Sequence, residues 1–283
     1  MLLCLALALL AFSGCGSGDE KTDTGQKAET ATEQKDETDA GQKAETAGEQ
    51  EAGTGTEQEA GTDTGQKAET AKAEVDMNKI SINTQSSIKI EGSKIIYIDP
   101  FKRSEKTRDA DIVFITHEHH DHFDSKSLKR AAGKDTAIVC PKSMLDAVGA
   151  LGISENVTGM EPGDTQEIGG VKVEAVPAYN LDKSFHPKEN GWVGYIITLD
   201  GIRYYAAGDT DALDELAGIK CDVAMVPIGG TYTMTAEEAA GLINKMKPEY
   251  VVPTHYGSIV GSPEDADTFE ANIDEGIKVV RKL

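Results

Sequence analysis

From about residue 79 onward the chain alternates short apolar blocks with polar punctuation, and the period of each block predicts its conformation. Ile80-Ser81-Ile82, Ser87-Ile88-Lys89-Ile90 and Lys94-Ile95-Ile96-Tyr97-Ile98 read as strands, the last two joined in a hairpin through Gly92. Asp99-Pro100-Phe101 closes the third. Asp111-Ile112-Val113-Phe114-Ile115 reads as a buried strand, and Ser125 to Gly133 as a short helix with Ser125 as its N-cap. Residues 136–139 form another strand, and Pro141 is expected to open a helix through Val148. Two hairpins follow, 165–168 with 171–176 and 192–199 with 202–207, the second turning at Asp200-Gly201. A strand at 222–226 precedes Thr235-Ala236-Glu237-Glu238, a capping box that starts a helix reaching about Lys247. A strand at 250–253, a helix from Ser262 and a last strand at 277–280 complete the pattern. Hairpins first, then strands mixed with helices, predict an α/β fold of two sheets with helices outside.

The pattern fails ahead of residue 76. Residues 16–75 hold almost no large apolar side chain, and Gly-Gln-Lys-Ala-Glu-Thr-Ala recurs at 25–31, 41–47 and 65–71. Such units have nothing to stack, so this acidic, low-complexity stretch is expected to be an extended, disordered tether. Met1 to Phe12 is continuously apolar but too short to span a bilayer as a helix. Phe12-Ser13-Gly14-Cys15 resembles the lipobox of bacterial lipoproteins, with Phe12 where leucine is usual and no Lys or Arg ahead of the apolar run. That resemblance implies lipidation of Cys15 and a membrane-anchored protein facing outside the cytoplasm of a bacterial cell. The expected organisation is therefore a signal segment at 1–15, a tether at 16–75 and a folded domain at 76–283.

Charge narrows the partners. The chain carries a formal charge of -21, and the tether supplies about half of it with 16 acidic and 6 basic residues. The folded part is still acidic, with 33 acidic and 22 basic residues, which disfavours tracking of a nucleic-acid backbone. A small-molecule substrate is the expected partner. Cys140 and Cys221, at the ends of apolar strands, do not make a disulfide framework and read as buried small hydrophobes, with a bridge between them as the alternative.

The candidate chemistry is concentrated at Thr116-His117-Glu118-His119-His120-Asp121-His122, between a strand and a helix. The chain has six histidines, and four of them are His117, His119, His120 and His122. Imidazole is the commonest metal ligand, and a loop can fan alternate side chains toward one point. The other two, His186 and His255, and Asp209 in Ala207-Gly208-Asp209-Thr210 all fall at expected strand ends, as the first cluster does. Each alone reads as a surface or turn residue; together they point to a metal site.

The order His-x-His-x-Asp-His, then His, Asp and His, resembles the metallo-β-lactamase superfamily of metal-dependent hydrolases. The phrases Ile98-Asp99-Pro100-Phe101, Tyr205 to Asp211, Val226 to Met234 and Pro253-Thr254-His255-Tyr256-Gly257 are similar to a branch of small hydrolases like ascorbate-6-phosphate lactonase. The resemblance covers about residues 79–283 and implies an αββα sandwich. It implies that His117, His119 and His186 bind one metal, that Asp121, His122 and His255 bind a second, and that Asp209 bridges them. His120 fills the variable position of the motif and is not expected to bind. Three neutral imidazoles with an open fourth position suit catalytic zinc, and imidazole with carboxylate also admits Mn or Fe. A pair of ions about 3.5–4 Å apart would ionise water near neutral pH for attack on a small ester, lactone or phosphodiester.

Asp99 has two readings, as acceptor for the free N–H of a ligating histidine or as a strand cap. Tyr232 and Tyr256 either donate to a developing oxyanion or simply pack. Two rival functions remain open. A di-iron redox protein of the same fold usually has an acidic residue where this chain has His119. A non-catalytic, metal-stabilised binding module would be favoured by loss of a ligand, and none is lost.

Overall fold

The computed structural model describes residues 73–283. The signal-like segment with Cys15, and the tether up to residue 72, lie outside the described residues. Ala73 and Val75 already pack on the core, slightly ahead of the expected start at 76.

Two sheets form, and in each the strands lie side by side in chain order. The first contains β1 (Ile80–Ile82), β2 (Ile88–Glu91), β3 (Ile95–Ile98), β4 (Ile112–Phe114), β5 (Ala137–Pro141) and β6 (Val157–Met160). The second contains β7 (Thr165–Ile168), β8 (Val171–Pro177), β9 (Val193–Leu199), β10 (Ile202–Ala206), β11 (Val223–Pro227), β12 (Tyr250–Thr254) and β13 (Lys278–Val279). Each sheet starts as antiparallel hairpins and ends as parallel strands: β3 to β6 in the first, β10 to β13 in the second.

The continuous apolar runs have a direct cause. Along β4, Ile112 and Phe114 face the other sheet, while Val113 and Ile115 face the helices α1 (Ser125–Ala131) and α2 (Leu145–Gly149). Along β11, Val223 and Met225 point inward, and Ala224 and Val226 pack under α3 (Ala236–Met246) and α4 (Glu264–Ala271). A strand buried on both faces has no polar phase to show. The result is an αββα sandwich with one core between the sheets and one under each helical layer.

Several boundaries differ from the pattern-based expectation. α1 is capped by Asp124, whose carboxylate accepts from Lys126 N and Ser127 Oγ, and it ends at Ala131. Pro141 ends β5 instead of opening a helix, and a 3-10 turn at Lys142–Met144 leads into the short α2. β6 is a strand that periodicity misses, because Val-Thr-Gly-Met is short, has polar or small residues at its centre and is fully buried only at Met160. α4 begins at Glu264, beyond the expected Ser262. The capping box of α3 forms as expected, with Thr235 Oγ1 accepting from Glu238 N and Glu238 accepting from Thr235 N.

Candidate metal centre

The C-terminal ends of the parallel strands from both sheets meet at one rim, the usual place for a site in such sheets. β3 ends in Asp99, β4 runs into the histidine loop, β10 leads to Asp209 and β12 to His255. Hydrogen bonds join the sheets along this rim, among them Tyr195 Oη to Ile115 O at 2.8 Å, Val193 N to Thr116 O at 3.3 Å, and His255 N to Gln85 O at 3.2 Å. Gly208, in the left-handed region at φ 66°, makes the approach possible. A Cβ there would lie 3.1 Å from Thr116 Cβ and 3.2 Å from Val193 O. Asp209 is carried in beside the histidine loop as a result.

All seven expected donors come together. His119 Nδ1 lies 3.1 Å from His117 Nε2 and 3.1 Å from His186 Nε2. His255 Nε2 lies 3.3 Å from Asp121 Oδ2, and His122 Nε2 lies 3.6 Å from the same oxygen. Asp209 faces both groups: its Oδ2 is 3.3 Å from His186 Nε2 and 3.2 Å from His255 Nε2, and its Oδ1 is 3.4 Å from His122 Nε2.

Neighbouring hydrogen bonds set the tautomers. Thr116 Oγ1 has one proton and gives it to Asp99 Oδ2 at 2.6 Å, so it accepts from His117 Nδ1–H at 3.0 Å. His122 Nδ1–H donates to Asp99 Oδ2 at 2.8 Å, and His186 Nδ1–H to Tyr232 O at 3.1 Å. In each ring Nε2 is then the nitrogen turned inward, toward the other donors. Asp99, also accepting from Thr116 N at 2.8 Å, is therefore an acceptor for a histidine of the cluster, as in the first of its two readings.

A divalent cation fits this donor set. Ligands about 2.0–2.1 Å from a tetrahedral ion lie roughly 3.4 Å from one another, and the donor separations above bracket that value. Among the described residues His122 Nε2, His255 Nε2 and Asp209 Oδ1 are buried and make no well-formed hydrogen bond, facing only one another and Asp121, which is costly for polar atoms unless a ligand completes them. Three triads have the compactness of a metal site: His117, His119 and His186; His117, His122 and Asp209; and Asp121, His122 and His255.

Electrostatics divides the cluster when no cation is present. Burial and the neighbouring imidazoles hold His117 well below the ordinary histidine range, and burial with His186 lowers His119. Burial also opposes charge on His122, but Asp209 and Asp99 outweigh it and push the ring well above that range. His255 is pushed up to about 9, burial being overcome by Asp209 and Asp121. Burial likewise works against the Asp209 and Asp121 carboxylates, yet His122 and His255 keep both ionised, well below the usual range.

Backbone strain gathers here too. Asp99 at φ 45°, His186 at φ 57° and His255 at φ 55° occupy the left-handed region, at a cost of roughly 1–2 kcal/mol each.

Comparison with known proteins agrees with this geometry. A family model described as a beta-lactamase superfamily domain matches residues 79–255. The chain belongs to the metallo-β-lactamase superfamily. Within it, a UPF0173 metal-dependent hydrolase of Pyrococcus horikoshii is 33% identical over 219 residues, covering 72% of this chain and 96% of the relative. A Methanosphaera stadtmanae protein of the same name is 31% identical over 219 residues, covering 70% of this chain and 92% of its own length. The chain is a member of that family of metal-dependent hydrolases. A crystal structure of a candidate metal-dependent hydrolase from Parabacteroides distasonis superimposes with a TM-score of 0.61 at 32% identity, over 72% of this chain and 92% of that one. CmlA from Streptomyces venezuelae, a diiron β-hydroxylase, shares the fold at 14% identity, with a TM-score of 0.59 over 72% of this chain and 52% of its own.

Other residues of this metallo-β-lactamase site leave no mark in the motif. Trp192 walls one side, its ring centroid 5.0 Å from those of His117 and His119. Asn180 Nδ2 donates to Phe185 O at 2.9 Å and to Tyr232 O, while Asn180 N donates to His186 O at 2.8 Å, which closes the loop that presents His186. The Tyr232 ring lines the cleft and stacks edge-on with Phe185 at 4.6 Å. Tyr256 follows the packed one of its two readings. Its side chain is buried in the apolar cluster under α3 and α4 and does not line the cleft, so it offers no hydroxyl to a substrate there. His120 is 78% exposed and stands outside all three triads. Cys140 and Cys221 are free, which settles the alternative of a bridge.

Proposed function

We propose that the chain is a dinuclear hydrolase of a small ester, lactone or phosphodiester. His117, His119 and His186 would hold one divalent ion and Asp121, His122 and His255 a second, with Asp209 between the two groups, its Oδ2 near His186 and His255 and its Oδ1 near His122. The observation that supports this most is the convergence of inward-facing imidazole nitrogens and an ionised Asp209 within one rim. Zinc suits a set dominated by neutral imidazole, and manganese or iron is compatible with the carboxylates. Such ions would bring the pKa of bound water down to about 7 and would polarise the oxygen of the group under attack.

The chain's own residues do the rest. Asp99 and Thr116 fix the rings of His122 and His117, and Trp192 keeps solvent from the back of the imidazoles. Asp121 and Asp209 supply the negative charge that retains the cations. Tyr232 is assigned as a donor to the developing oxyanion, acting from the cleft wall. Metal analysis of protein purified without chelator should give more than one equivalent per chain. The loaded protein should hydrolyse at least one member of a panel of esters, lactones and phosphodiesters. A metal-free protein with undiminished turnover would refute the reading.

The N-terminal segment supports a second, separate proposal: Cys15 anchors the protein to a bacterial membrane, and the acidic tether holds the enzyme off its surface. Cys15→Ser should move the protein from the membrane fraction to the soluble one.

A further inference from the structure

The cleft beside the donors has a mixed wall. Its lining combines the donor residues and His120 with three large side chains of apolar body, Phe185, Tyr232 and Ile259, the first two stacked edge-on. Phe185 is 45% exposed and Ile259 is 42% exposed, and the described residues include only two other large apolar side chains exposed to this degree, Leu181 and Leu283. Leu181 sits in the same closed loop as Phe185, between Asn180 and His186. Exposed apolar side chains gathered at one site mark a binding surface.

The wall is built to stay in place. Asn180, 5% exposed, clamps the Phe185 carbonyl, and Leu181 N donates to Asp211 Oδ2 at 2.9 Å. Lys183, in the same loop, is paired with Asp211 and is not free to answer a substrate charge. Ile259 is tethered as well, its N donating to Gln85 Oε1 at 3.4 Å. Among the described residues no lysine or arginine lines the cleft, whose volume is about 220 Å³, below the roughly 300 Å³ at which drug-sized ligand pockets begin. A second anionic group on a substrate would therefore face Phe185 and Ile259 with no cation to pair it, a costly burial.

We infer that the substrate is a small, otherwise uncharged acyl compound, an ester or lactone, whose aliphatic portion lies between Phe185, Tyr232 and Ile259 while its carbonyl faces the donor cluster. This rests on the hydrolase reading above and selects within it against phosphorylated and dicarboxylic substrates. In the reaction a bond forms between the oxygen of water and the acyl carbon. The acyl carbon–oxygen bond breaks, and the water proton passes to the departing alcohol oxygen. Phe185 and Ile259 are specificity residues in this assignment; neither touches the reacting atoms.

The test uses product-like acids on the metal-loaded full chain, with affinity measured by calorimetry. The single Trp192, against the imidazoles, provides a fluorescence readout of the same event. Hexanoate should bind at least about tenfold more tightly than acetate, given about fourfold for each fully buried methylene. It should also bind more tightly than adipate, which matches it in length and adds a distal charge. Phe185→Ala and Ile259→Ala should each reduce the hexanoate-to-acetate ratio about fivefold or more and leave acetate unchanged. A tail that adds no affinity, or adipate binding as well as hexanoate, overturns the assignment. A separate turnover arm compares neutral-tailed and carboxylate-tailed esters and lactones. Turnover of none of them would sink the hydrolase reading itself, whereas equal turnover of both tails would sink only the apolar-acyl assignment.

Discussion

The two halves of the donor cluster differ in how their histidines hold protons when no cation is present. His117 and His119 are held below the ordinary histidine range by burial and by each other's company, so with His186 they form a nest of imidazoles facing one another. His122 and His255 sit against Asp99, Asp121 and Asp209, and in the cation-free chain those carboxylates keep protons on them. The first half offers lone pairs at neutral pH. The second half must release protons to make room for a cation, which stands in for the positive charge that the protons supplied. The donor types already differ, three imidazoles against two and a carboxylate, and the surroundings widen the difference.

Asp209→Ala strikes both halves at once and should have the largest effect. Hydrolysis should fall by more than about a hundredfold, the scale of losing one group aimed at developing charge, and bound metal should drop below the wild-type stoichiometry. Turnover within a factor of a few of wild type would show that the halves do not share this carboxylate.

The pH response separates the halves next. Because His255 is raised to about 9 in the cation-free chain, its contribution to stability is fully present below its unfolded value of 6.5 and is lost as pH rises toward 9. Metal-stripped protein should therefore melt at a lower temperature at pH 9 than at pH 6.5. Metal affinity should run the opposite way, with one ion bound more tightly as pH rises toward 9 and protons released on binding, up to about tenfold per pH unit for each proton displaced. Titrations in buffers of different ionisation enthalpy would detect those protons. Binding of both ions independent of pH would abolish the distinction.

Asp99→Asn is the most selective. It keeps the shape but replaces the carboxylate that accepts from His122 Nδ1, while His117 keeps Thr116 Oγ1 as its acceptor. Affinity for one ion should weaken by about 10- to 100-fold, with the other little changed. Equal weakening of both would mean that Asp99 supports the whole cluster through Thr116.

The same contrast governs how much of the site is legible in the amino-acid sequence. His117, His119, Asp121 and His122 lie on one loop, so their alternation is a local signal. His186, Asp209 and His255 are single residues far apart in the chain, and only their shared position at strand ends, with the family resemblance, links them. The roles of Trp192, Thr116 and Asn180 arise from contacts across the rim and leave no local trace. Tyr256 misleads because adjacency to His255 along the chain is not adjacency to the cleft; at φ 55° the backbone of His255 turns, and the next side chain goes under α4. β6 and the late start of α4 are hidden for an energetic reason: half-buried edge elements need only a weak apolar signal.

The strand ends that carry the donors belong to two sheets contributed by different stretches of chain, sewn together at the rim by Tyr195, Val193 and His255. Cys140 and Cys221 are unpaired, so no covalent bond staples those sheets among the described residues. An ion gripped by the histidine loop on one side and by Asp209 and His255 on the other would act as a removable rivet. Chelation would then cost the fold cooperativity as well as catalysis, unfastening the sandwich at the edge where it works.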